Sequence, residues 1–321
     1  MFREHGLDVS WDRSGSNRIA YSQKNDKGFY NVHLADPDGS HDTCLTCNSP
    51  LFPHGHNGSG VWHPSGKWLL ITCEKPVHKG GSFPAMPGLG GYTDIWIINS
   101  TCTKAYKLFD PPNDIDHGII MPHFSNDGKH IVWTNRKTRP NLFLHGRLFG
   151  YWTINIADFA FDAQGIPRIS NIKELEPAGS AFYETYGYSP DDKKIIFCSD
   201  IHHVSAWNEQ IYTMNPDGTG VSQLTNSAYN EHAFYTPDGK HIVWMTNKDS
   251  KAGTDWWMMN ADGSDKKRLT YFNDKNSPQY FGKAIWCCFG SFNKEGTAFV
   301  GGQQVNLITQ EGQLMMVRLG K

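Results

Sequence analysis

The chain has 321 residues, 30 Lys and Arg against 32 Asp and Glu, a formal net charge of −2, and 32 Gly with 17 Pro. That charge balance excludes a dedicated nucleic-acid binder, because neutralising phosphates takes many clustered cations. No run reaches the ~20 apolar residues of a membrane-spanning helix, and apolar runs such as 68–72 have strand length, so no membrane span is expected.

In chain order, Met1 to Asp8 carries Arg3 and Glu4 and lacks an apolar h-region, so no signal peptide is expected in this chain. A weak hairpin phrase follows from Trp11 to Tyr21, around Ser14-Gly15. Cys44 and Cys47 have CxxC spacing, but Leu45-Thr46 between them fills the same slot as Leu224-Thr225 and Leu269-Thr270, and no second CxxC exists, which argues for a strand over a zinc knuckle. The seven cysteines form no disulfide framework, and their pairing is left open.

The phrase then returns in full: an aromatic strand end, a turn such as Pro64-Ser65-Gly66, and a β-branched or aromatic run from Lys67 to Ile71. Its further copies are 124–133, 188–197 and 235–244, with a weaker one at 292–300, which makes six. Each copy combines turn chemistry with strand propensity and so reads as a hairpin. Third strands follow at 94–99, 210–215 and 255–260, then a polar turn and a short closing strand ending in Leu-Thr. Four short strands per unit, recurring every 40 to 60 residues or so, are the signature of a β-propeller blade and predict an all-β fold of four-stranded antiparallel blades. The expected blades are 1–48, 49–111, 112–177, 178–227, 228–274 and 275–321, together a single propeller domain. The last has no clear fourth strand, so the ring either borrows the N-terminal segment or stays open.

This phrase resembles the repeats of the TolB-type β-propeller family over nearly the whole chain. That resemblance implies a six-bladed β-propeller and a periplasmic or extracellular protein.

The strand-one-to-two turns are uniformly tight, whereas the strand-two-to-three loops swell at 75–92 and 136–150, so the insertions crowd one face. Long loops on a rigid scaffold are where binding and chemistry concentrate. First strands of a propeller line its central channel, and the residues just before them converge on the mouth: Glu4-His5, His54 to Asn57, Asp116-His117, Glu184, Glu231-His232 and Gln279-Tyr280. Second-strand ends add Glu74, Arg136, Asp200 and Asn247. Imidazoles and carboxylates in a ring suit a divalent metal ion, Mn, Zn or Ca, and equally suit a polar ligand or plain structural hydrogen bonding. The loop after Arg136 gathers Lys137, Arg139 and Arg147 with Phe143 and Phe149, a cation-and-aromatic strip that fits an acidic sugar or a solvated loop. No nucleophile elbow, phosphate loop or dinucleotide fingerprint occurs.

Residues 231–239, Glu-His-Ala-Phe-Tyr-Thr-Pro-Asp-Gly, and the Glu74 that precedes Lys75-Pro76 resemble the oligogalacturonate lyase propellers. The resemblance implies metal-dependent β-elimination on acidic oligosaccharides. Its metal ligands would be His56, His117, His232 and Gln279, its base His54 or His5, and its carboxylate contacts Arg136 or Arg139; Glu74, Glu184 and Glu231 join the substrate-binding candidates. The chain has one blade fewer than those lyases. The alternative is a non-catalytic, TolB-like platform that binds a protein or glycan partner on the long-loop face.

Overall fold

The computed structural model describes residues 1–52, 55–76, 82–139, 149–202, 207–250, 252–306 and 311–320. After β1 (Arg3–Glu4), the first sheet comprises β2 (Gly6–Trp11), β3 (Ile19–Lys24), β4 (Tyr30–Ala35) and β5 (Thr43–Cys44). The second comprises β6 (Asn57–Trp62), β7 (Trp68–Glu74), β8 (Thr93–Asn99) and β9 (Ala105–Phe109), and the third β10 (Gly118–Phe124), β11 (His130–Thr138), β12 (Tyr151–Phe161) and β13 (Pro167–Leu175). The fourth holds β14 (Tyr183–Tyr188), β15 (Ile195–Ser199), β16 (Gln210–Met214) and β17 (Ser222–Gln223), and the fifth β18 (Asn230–Tyr235), β19 (His241–Thr246), β20 (Asp255–Asn260) and β21 (Lys267–Arg268). The last contains β22 (Trp286–Phe292), β23 (Ala298–Asn306) and β24 (Glu311–Arg318), and β1 pairs with β24 as its fourth strand. The six first strands touch one another in a closed circuit, β2 to β6, β10, β14, β18, β22 and back to β2. The molecule is a six-bladed β-propeller.

Second strands are apolar nearly throughout because both faces of a blade are covered, and successive strand residues point to opposite faces. Leu69 and Ile71 of β7 pack with Ala20, Val32 and Leu34 of the first blade, while Leu70 between them packs with Ile119, Ile131 and Trp133 of the third. The same division recurs at Ile195, which faces the third blade, and Ile196, which faces the fifth.

Ring closure borrows the N-terminus. Arg3 pairs with Leu314 and Glu4 with Gln313, and the Phe2 N–H donates to the Leu314 carbonyl at 2.7 Å. Arg3 ties this strand to the first blade, donating to the Tyr21 hydroxyl at 2.9 Å and the Gly39 carbonyl at 2.6 Å. The first unit therefore starts its own sheet at Gly6, and the segment before it belongs to the sixth. At about 1 kcal/mol per net hydrogen bond, deleting residues 1–4 is expected to cost about 3 kcal/mol in a denaturant titration. An unchanged midpoint would show that the closure is not a stabilising element.

Each first strand carries a β-bulge midway, marked by register shifts at Leu7/Val9, Gly58/Val61, Ile120/His123, Thr185/Tyr188, Glu231/Phe234 and Cys288/Gly290. In five blades a non-glycine residue there adopts a left-handed backbone: Asp8, Ser59, Met121, His232 and Phe289. A bulge re-aims side chains that regular pleating would send between blades. Together with Tyr186 of the fourth blade, these residues line a narrow space in the middle of the channel, one from every blade.

Candidate acid-pair site at the channel mouth

Above that belt, on the long-loop face, the channel opens into a cavity of about 610 Å³. Its walls are aromatic: Phe149, Trp152, Phe182, Trp207, Trp286 and Phe289. The rings brace one another, Phe149 against Phe182 at 4.8 Å between centroids and Trp207 against Trp286 at 5.4 Å. The polar groups are few: Glu184, Glu231 and His232 from the first strands, Tyr229 just before β18, Gln304 of β23, and Arg136 and Arg139 on the side of the third blade.

Glu184 and Glu231 hold equivalent positions at the mouth ends of β14 and β18. Cys198, the cross-strand partner of Glu184 on β15, completes the group, and one donor atom from each of the three lies within 4.8 Å of the other two. Period-two geometry supplies the hydroxyls: Tyr186, two residues after Glu184, donates to Glu184 Oε2 at 3.2 Å, and Tyr229, two residues before Glu231, donates to Glu231 Oε2 at 2.5 Å. Burial lifts the Glu184 carboxyl to about 8, with the charges of Asp8 and Glu209 adding to the rise and the Tyr186 hydroxyl opposing it. Burial, then the charges of Glu184 and Glu209, pushes Glu231 well above the carboxylate range. His232 lies under both, with Nε2 4.0 Å from Glu184 Oε1 and from Glu231 Oε2, and its ring sits 4.3 Å from that of Phe289. Burial holds its pKa down at about 3, against an opposing contribution from the Cys287 backbone. Near neutral pH the floor thus presents two carboxylic acids and a neutral imidazole, uncharged but able to donate protons.

Arg136 is buried, and burial lowers its pKa. It donates to the carbonyls of Leu89 at 3.2 Å and Ile115 at 2.6 Å and lies over the Trp152 ring, so two of its nitrogens are already engaged. Arg139 is exposed at the rim, and among the described residues its guanidinium approaches Asp116 at 3.7 Å.

The other expected residues lie elsewhere. Glu74 is buried and accepts from two backbone N–H groups, His56 at 2.9 Å and Ser82 at 2.7 Å, which fastens the rim loop that carries Phe83. His56 is buried in the first-to-second blade seam, where its Nδ1 accepts from the Tyr30 N–H at 3.2 Å, and burial with nearby Lys24 lowers it to about 4. His117 is held by Asp114 at 2.7 Å, and Gln279 accepts from the Tyr271 N–H at 2.8 Å on an exposed loop. His5 is exposed in a left-handed turn between β1 and β2. His54 lies outside the described residues. Of the four expected metal ligands only His232 lines the cavity, so His56, His117, His232 and Gln279 do not assemble into one coordination sphere. Among the described residues, two other groups of three could hold a metal ion: Glu184 with Cys198 and Glu231, and His33 with Cys44 and Cys47. Cys198, Tyr186, Tyr229 and the tryptophan walls were not among the expected site residues. The alternation Tyr229-x-Glu231 and Glu184-x-Tyr186 is the signal that would have found the two hydroxyls.

No family model matches the chain, and no curated protein matches it either. Solved structures do. TolB from Acinetobacter baumannii superposes with a TM-score of 0.59 at 19% identity, over 97% of this chain and 65% of that one. A gluconolactonase of Xanthomonas campestris gives 0.58 at 11% identity, over 99% and 86%. Prolyl oligopeptidase B from Galerina marginata gives 0.53 at 11%, over 98% and 43%. The chain spans about two thirds of the TolB chain and less than half of the oligopeptidase. At such identities the likeness is one of fold: this is a propeller of the TolB type. Among the described residues, no helix is long and apolar enough to cross a membrane.

Proposed function

We propose that the protein binds an acidic oligosaccharide at the long-loop mouth of its channel and acts on it by proton transfer, with Glu184 and Glu231 as the acid–base pair. The observation that carries this reading is the pair itself, two carboxyl groups within 4.8 Å at the floor of a cavity walled by aromatic rings. Aromatic faces stack on the apolar faces of sugar rings. An uncharged floor of acids donates hydrogen bonds to hydroxyl, ether or carboxylate oxygens. Arg139 at the rim supports the acidic part of the reading, since a guanidinium pairs with a carboxylate in bidentate fashion.

β-Elimination beside a uronate carboxylate fits these parts. One member of the pair, once ionised, removes the proton α to the carboxylate, and the other, still protonated, donates to the departing glycosidic oxygen. The proton transfers are assigned to the pair itself, although Glu184, Cys198 and Glu231 also form a group that could hold a metal ion. The test is incubation with uronate oligosaccharides and detection of the ultraviolet absorbance of the new carbon–carbon double bond. Cleavage to saturated products would replace elimination with hydrolysis. No cleavage and no binding of any uronate tried would reject the substrate class.

A second reading has its own observation. Phe83 and Trp207 are 52% and 42% exposed at the mouth, beside the aromatic cavity wall, and an exposed apolar patch is where partners dock. They suit a protein partner on the TolB-like scaffold, and an F83A variant that loses such a partner while keeping sugar binding would favour it.

A further inference from the structure

At the outer edge of the first blade, Cys44 at the end of β5 and Cys47 in the turn beyond it form a disulfide. His33 on β4 is the cross-strand partner of Cys44, and its Nε2 lies 4.0 Å from Cys47 Sγ. The three donor atoms, two sulfurs and one imidazole nitrogen, fall within 4.8 Å of one another. Ligands 2.0 to 2.3 Å from a tetrahedral ion stand about 3.3 to 3.8 Å apart, which the 4.0 Å between His33 and Cys47 approaches; the two bonded sulfurs must move apart on reduction, and two intervening residues are the usual spacing of paired zinc thiolates.

Two further features go beyond what a structural disulfide needs. The other nitrogen of His33, Nδ1, meets Asp42 Oδ1 at 3.2 Å, and Asp42 is itself held by the Tyr21 hydroxyl at 2.7 Å and by Arg3 at 3.6 Å. A carboxylate on the far nitrogen fixes the tautomer that leaves Nε2 free to bind a metal. The Cys47 N–H donates to Cys44 Sγ at 3.1 Å, a contact that favours a thiolate once the bond to Cys47 is opened. Both cysteines are partly exposed, so reductant and ion can reach them.

We propose that His33, Cys44 and Cys47 are a redox-gated zinc site: a disulfide under oxidising conditions, and a three-ligand zinc centre with an open fourth position once reduced. A dithiol reductant passes two electrons and two protons to the disulfide, becoming a disulfide itself and leaving Cys44 and Cys47 as thiols. Zinc then displaces both thiol protons and takes two thiolates and the neutral imidazole. The site is separate from the acid pair and does not depend on its function.

The test uses the full chain, reduced with a phosphine, freed of reductant without air and titrated with Co²⁺ and then Zn²⁺. One cobalt per chain is expected, with a thiolate-to-metal charge-transfer band that zinc abolishes; the oxidised chain and the C44S/C47S variant should show none. D42N should weaken binding by roughly 10- to 100-fold while leaving the stoichiometry at one. If the double variant does not fold, the reduced and alkylated parent chain replaces it as the thiol-free control. A reduced chain that binds no more cobalt than that control overturns the proposal. So does an equal band from the oxidised chain, which would place the metal on other cysteines, or an H33A variant that binds as the parent does.

Discussion

E184Q and E231Q each lower turnover of a cleavable uronate by at least about 100-fold, the lower end of what a positioned acid or base contributes, while both fold as the parent does. Glutamine keeps the size and one acceptor of each side chain but cannot exchange a proton. Affinity measured by calorimetry is expected to change less than turnover, because the aromatic walls are untouched. In the parent, activity rises with pH toward about 8, where Glu184 loses its proton and becomes the base while Glu231, pushed up further, stays the acid, and that limb disappears in E184Q. Variants with parental turnover would remove the pair from the chemistry.

The same groups tilt stability with pH. Glu184 and Glu209 are raised by burial to about 8 and about 7, so between their unfolded values and these the folded state binds more protons than the unfolded chain, and stability falls as pH rises. His56, His123 and His232, depressed by burial to about 4, 4 and 3, act oppositely: they lose stability as pH falls below their unfolded value of 6.5 and contribute no slope above it. From pH 6.5 to 8 the carboxyls therefore act alone among these groups. The melting temperature should drop across that window, and drop less in E184Q.

K75M is expected to cost about 3 kcal/mol or more in denaturant unfolding, the scale of breaking a buried ion pair from one side. Lys75 is buried and bonds both Asp94, which is 2% exposed, and Asp110. Without it, Asp94 keeps only the half-exposed Lys107 at 2.8 Å. Burial already raises Asp94 despite both lysines, so its charge is held by these partners. At Asp110 burial works upward as well, but the hydrogen bonds from Lys75 and Lys107 outweigh it and keep the carboxyl at about 2. The change would also reach the site. Glu74 fastens Ser82, and the Lys75 N–H donates to the Tyr92 carbonyl at 2.8 Å, so this strand end anchors both ends of the rim loop. The K75M/D94L double variant should recover much of the loss. A K75M chain as stable as the parent would mean that Asp94 is satisfied by Lys107 alone.

By itself the sequence determined the repeat and, with it, the fold. Turn residues and strand periodicity act locally, and a hairpin phrase such as 235–244 specifies its own geometry wherever it sits in the chain. It also placed Glu184, Glu231, His232, Arg136 and Arg139 on the face where the cavity lies, because position within a blade dictates the face at which a residue emerges. Tertiary structure decided the rest. Whether β1 closes the sixth blade depends on an edge more than 300 residues away in the chain, at Leu314. Which histidines meet depends on blade-to-blade packing and on loop hydrogen bonds: equivalent mouth positions bury His56 in a seam, tie His117 to Asp114 and bring only His232 beside the acids. The state of those acids followed from the same packing. A carboxyl group's proton affinity is set by the surface that encloses it and the charges beside it, and neither is written in the order of residues.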